Sequence, residues 1–156
     1  MRLAIVAALL RRASSWTPER FVVSAWVDPV VDPSDFPATY AQFAASNFTL
    51  LLGGFGATTP TSVTASLAAA AAAGLEAVPS ACETAAGPAP AGSCVNLTSP
   101  ALRGFQMADE PSAADFPALA AWAASVAARA PGALRFINLF PNYAVPGALV
   151  RLTRRA

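Results

Sequence analysis

"RGFQMADEPSAADFPALAAW", Arg103 to Trp122, passes from one apolar run through two adjacent carboxylates and a proline into a second apolar pattern of different period. The run "RGFQMAD" is short and bounded by turn residues, as strands covered on both faces are. Beyond it, Asp115 is a capping type, Pro117 suits a first helical turn, and Phe116, Leu119, Trp122 (or Ala123) and Val126 recur at helical spacing. Such a stripe packs a helix onto a sheet. Strand, turn and helix in this order make a βα unit. Asp109 and Glu110 fall in its turn, where they either face a site or simply open the helix.

Four further runs have the same character: "FVVSAW" from Phe21, "FTLLLGG" from Phe48, "LEAVPSA" from Leu75 and "LRFINLF" from Leu134. Their starts follow one another at about the 30-residue length of a strand–helix–strand step. The expected fold class is therefore α/β, a partial (β/α) TIM-type barrel of about five parallel strands with intervening helices. A whole barrel takes about 250 residues, so the barrel is expected to be incomplete. The doubly wound open sheet is the other parallel architecture. The clearest helix is "TPTSVTASLAAAAAAG", with Thr59 as cap, Pro60 in the first position and Gly74 as the stop. Between the third and fourth runs "GPAPAGS" breaks any helical pattern and leaves a turn at "SPAL". The segments "DPSDFPATYAQFA" from Asp32 and "EPSAADFPALAAWAA" from Glu110 echo one another. Internal repetition and the common chemistry of helix starts both account for that. "GGFGATTP", Gly53 to Pro60, is glycine-rich but completes neither a dinucleotide fingerprint nor a P-loop, so its glycines serve a tight turn.

The chain has 156 residues, 55% of them hydrophobic and 12% charged, with net charge +1 and no histidine. That composition argues for a folded domain and gives no electrostatic footprint for nucleic acid. Without histidine, Ser-His-Asp and Cys-His catalysis and histidine-based metal sites are excluded, so no metal or other cofactor is expected and carboxylates are the natural agents. Residues 1–20 form a leader or signal-like segment whose apolar run, Leu3 to Leu10, is too short to span a membrane. Residues 21–145 form the β/α domain and 146–156 a basic tail. Secretion is the expected localisation. Two sequons accord with it: Asn47-Phe48-Thr49, placed at the start of a buried strand and so a poor acceptor, and Asn96-Leu97-Thr98 in a loop. Cys82 and Cys94 bracket a Gly/Pro/Ala loop, either as a disulfide or as two free thiols.

At the carboxyl ends of the strands stand Trp26 and Asp28, Phe55, Ser80, Asp109 and Glu110, then Asn138, Asn142 and Tyr143. Aromatic faces stack on sugar rings while amides and carboxylates bond their hydroxyls, so Trp26, Asp28, Phe55, Asn138, Asn142 and Tyr143 are candidate saccharide ligands. Successive strand residues point to opposite sides, and Pro111 is expected to hold Glu110 extended. One acid then acts and the other supports it.

The run "GFQMADEPSAADFPALAAWAASVAARAPGALRFINLFPNYA" resembles the fourth and fifth strands of glycoside-hydrolase-like (β/α)8 barrel proteins of the retaining-glycosidase clan. The resemblance spans roughly Phe21 to Ala144, and its specific part is the "DEP" turn and "INLFPNYA". It implies that Glu110 is the acid/base, protonating the leaving oxygen and later deprotonating water. Asp109 stands where the clan carries asparagine, either repelling a charge on Glu110 or holding the loop through hydrogen bonds. A retaining glycosidase needs a second carboxylate about 5 Å away, which in the clan comes from a seventh strand. Asp28 is the best substitute among the remaining acids. A fragment of a hydrolase is thus one expectation. The others are a non-catalytic carbohydrate-binding module and an inactive truncated barrel that self-associates through open sheet edges.

Overall fold

A computed structural model describes residues 20–26, 29, 31–53, 57, 59–80, 83–84, 87–88 and 95–139. Its strands are β1 (Leu50–Gly53), β2 (Glu76–Pro79), β3 (Glu83–Thr84), β4 (Gly87–Pro88), β5 (Gly104–Asp109) and β6 (Leu134–Asn138). Its helices are α1 (Phe36–Ala45), α2 (Pro60–Ala72) and α3 (Phe116–Arg129). The expected five-stranded partial barrel is not what forms. β1 and β2 make one parallel two-stranded sheet, β5 and β6 make another, and β3 and β4 make a small antiparallel pair. Among the described residues no barrel closes, although the class remains mixed α/β.

Two local causes account for the difference, and a third feature marks the β5–β6 pair itself. The run from Phe21 makes one parallel bridge, Ser24 to Leu50, instead of a ladder. Phe21 there is 86% exposed, and the Val23 amide donates to the Thr49 hydroxyl at 2.9 Å rather than to a backbone carbonyl. Along the seam between β2 and β5, among the described residues, only the isolated bridges Ala77 to Leu102 and Ser80 to Gln106 form. Pro79 separates them, and a residue without an N–H interrupts a ladder. Finally, the register of β5 against β6 shifts between Gln106 and Ala108, so Met107 is an extra residue in a bulge.

The helices follow the sequence closely. Thr59 caps α2, its hydroxyl accepting from the Ser62 amide while the Ser62 hydroxyl accepts from the Thr59 amide. At the other end Gly74 adopts φ +70°, and the Leu75 amide reaches back to the Ala70 carbonyl at 2.9 Å. This is the left-handed stop that a β-carbon disfavours. α1 ends in the same way with Asn47 at φ +63°. There the Phe48 amide donates to the Phe43 carbonyl and the two rings stack at 4.0 Å. Both echoed segments build one local structure, a 3-10 turn (Pro33–Asp35 or Ala113–Asp115) that runs into a helix starting at phenylalanine. At the second, Asp115 holds the N-cap position of α3 without a side-chain capping bond of its own, while its carboxylate accepts from the amide of Ser112, the cap of the 3-10 turn, at 2.9 Å.

One core joins the helices to both parallel sheets. It contains Phe36, Tyr40, Leu51, Val63, Leu67, Ala77, Phe105, Met107 and Val126, with Leu119, Trp122 and Ala123 of α3 packed against it. Each fully buried large side chain contributes about 1.5–3 kcal/mol of burial free energy. The Tyr40 hydroxyl is satisfied inside the core by Ser66, at 2.9 Å. Leu51, Ala77, Phe105 and Met107 turn one face of the strands to the helices. By alternation, Ser24, Trp26, Leu50, Val78, Ser80, Gln106 and Phe136 belong to the other face.

Candidate functional site

The carboxyl-terminal edge of β5 and β6 carries the acidic turn. Asp109 pairs in register with Asn138, and the Asn138 Nδ2 donates to Asp109 Oδ1 at 2.8 Å. The Glu110 amide donates to the Asn138 carbonyl, also at 2.8 Å. One asparagine therefore holds both residues of the turn, one by its side chain and one by its backbone. Asn138, expected to bind a sugar, braces the acidic pair. Of the two roles open to Asp109, holding the loop is the one this hydrogen bond serves.

Glu110 departs from expectation. The proline behind it was expected to keep it extended, yet its φ is +47°. Outside glycine this region costs about 1–2 kcal/mol. The turn is imposed by the Asn138 carbonyl, which draws the Glu110 amide across to β6, and by the Met107 bulge, which re-aims the end of β5. Asp109 and Glu110 are both exposed.

Trp26 comes to the same face. Its ring lies 6.2 Å from that of Phe136 at an interplanar angle of 59°. Phe136 is two residues before Asn138 on β6, so both point to one side of the strand. Trp26 keeps 43% of its surface exposed. The first segment, which bridges β1, thus returns toward β6 although three strands lie between them in the pairing order.

Gln106 and Phe136 were not singled out from the sequence. Gln106 is buried, and the Ser80 hydroxyl approaches its Oε1 at 3.5 Å, a long contact. A single polar residue inside the apolar run "GFQMAD" was the legible signal, because a buried amide needs a partner. Asp28, Phe55, Asn142 and Tyr143 lie outside the described residues, as do Cys82 and Cys94 with their open pairing.

The opposite, amino-terminal edge holds a cavity of about 300 Å³ lined by Arg20, Gly74, Glu76, Pro100, Arg103 and neighbouring apolar atoms. Arg103 Nε donates to Glu76 Oε1 at 2.7 Å, and Arg20 donates to the carbonyls of Thr49 and Gly74. These groups tie loop carbonyls and a buried carboxylate together. Among the described residues no group of histidine, cysteine, aspartate and glutamate side chains could hold a metal ion. None of the described helices is long and apolar enough to cross a membrane.

Comparison of the chain with protein-family models, with curated proteins and with solved structures finds no match in any of the three. The functional reading therefore rests on the acidic turn, its brace and the neighbouring aromatic ring.

Proposed function

We propose that this protein is carbohydrate-active in the manner of a glycoside hydrolase. A saccharide lies against the carboxyl-terminal edge of β5 and β6, with a sugar ring against the partly exposed Trp26 and its hydroxyls on Asp109 and Glu110. Glu110 is the acid/base of glycosidic bond cleavage. The observation that carries this reading is the acidic turn itself. Asp109 is braced by Asn138, and Glu110 is held exposed in a left-handed conformation beside it. Residues kept in sparsely populated backbone regions gather at working sites.

A second reading, a saccharide-binding module without turnover, is favoured by the engagement of Asp109 with Asn138. That arrangement orients a ligand but supplies no second reacting carboxylate of the kind a retaining mechanism requires. The two readings separate in one experiment. The full chain is assayed for binding to a glycan array and for release of reducing ends from the glycans it binds, alongside Glu110→Gln. A hydrolase loses turnover by roughly 10²–10⁴-fold in that variant while it keeps binding. Binding without turnover in the unmodified chain identifies the module, and absence of binding to any glycan overturns both readings.

A further inference from the structure

We propose that Asn96 is an N-glycosylation site, accepting an oligosaccharide from a lipid-linked diphosphate donor. The segment from Asn96 to Leu102 makes two successive turns, closed by Ser99 N–H to Asn96 O and Leu102 N–H to Ser99 O, each at 3.1 Å. Asn96 and Thr98 are both exposed on it. Within the first turn, Asn96 Oδ1 accepts two hydrogen bonds from Thr98, from its amide at 3.0 Å and from its hydroxyl at 2.7 Å. The threonine two positions on, which the acceptor pattern demands, is thus already in contact with the carboxamide it serves. With both donors on the oxygen, the Nδ2 end of the carboxamide is left for reaction.

The step balances as a substitution at the anomeric carbon. Asn96 Nδ2 forms the carbon–nitrogen bond as the bond from that carbon to the diphosphate oxygen breaks. The lipid diphosphate leaves with the bonding pair, and a basic group of the transferring enzyme takes one amide proton.

The other sequon is built differently. Asn47 is exposed, contrary to the buried strand start expected for it, but it is the left-handed residue that ends α1. Its partner Thr49 is committed elsewhere: the Thr49 hydroxyl accepts from the Val23 amide at 2.9 Å and donates to the Phe21 carbonyl at 3.2 Å. Location also suits Asn96. Its turns lead into the amino-terminal end of β5, and the six residues of that strand, at about 3.3 Å each, separate a glycan from the acidic turn. The modification is independent of what that turn does.

The test uses the full chain behind a cleavable secretory leader, translated with eukaryotic microsomes, counting only chains protected from added protease. The expected result is a mobility shift reversed by peptide N-glycosidase, with Asn96 converted to aspartate in the released peptide. Asn96→Gln and Thr98→Ala abolish the shift, while Thr98→Ser and Asn47→Gln retain it. Protected chains without a shift, or a shift that survives Asn96→Gln, overturn the proposal.

Discussion

Glu110 and Asn47 share a left-handed backbone for different reasons. Asn47 ends a helix, a position where asparagine is common because its short polar side chain tolerates this region. Glutamate has no such preference, and proline follows it, so the conformation at Glu110 is held from outside by the Asn138 carbonyl. If the side chain is kept for function rather than for folding, removing the β-carbon should relieve the cost. Glu110→Gly is expected to raise stability by about 0.5–1 kcal/mol, while Glu110→Ala, which keeps the β-carbon, gains nothing. Urea unfolding of the two variants beside the unmodified chain decides it, and a destabilised Glu110→Gly would show that the glutamate is required by the fold. The identities of Asp109 and Glu110 as site candidates were legible from the "DEP" run alone. The φ of Glu110 was not, because it depends on a hydrogen bond to a strand almost thirty residues away.

At the scale of elements, the helices are local objects and the sheets are not. α2 carries its start and stop within itself, in Thr59, Ser62 and Gly74, and its expected limits agree with the observed ones. β5 and β6 depend on an approach that no neighbouring residue dictates. A β-carbon placed on Gly104 would collide with the backbone carbonyl and Cβ of Leu134, so this glycine sets how closely the two strands meet. Gly104→Ala is expected to destabilise the protein by about 1–3 kcal/mol through forced separation of the pair. Amide hydrogen exchange should speed up along β5 and β6 before it does in α2. Unchanged exchange in these strands would mean that the backbone absorbs the methyl group elsewhere. Gly104 drew no attention in the sequence, since a glycine at the start of a strand also reads as ordinary punctuation.

For the whole molecule, the question is what joins two separate parallel sheets. The shared core joins them, and among the described residues the strand pairing along the seam between β2 and β5 consists of the isolated bridges at Ala77 and Ser80. The Arg103–Glu76 ion pair spans the same seam, with the Glu76 side chain 10% and the Arg103 side chain 33% exposed. Arg103→Ala leaves a nearly buried carboxylate without its cation, at an expected cost on the order of 2–3 kcal/mol. Glu76→Gln keeps an acceptor for Arg103 and should cost less. Thermal unfolding of both variants tests the pair, and equal losses would assign the effect to lost packing of the arginine stem instead.

What the amino-acid sequence determined by itself is the kind of element at each place. Helix caps, stops and apolar stripes act over three or four residues, so Thr59, Gly74, Leu119 and Val126 could be placed without any knowledge of the rest. The even spacing of five apolar runs likewise established a βα succession, but spacing reports order along the chain and not the ladder between strands. Tertiary structure decided that the first run makes a single bridge, that the pairing across the β2 and β5 seam breaks at Pro79, that β5 bulges at Met107 against β6, and that Asn138 braces the acidic pair. Each of these turns on which backbone group meets which across the sheet, and such pairings join residues far apart in sequence.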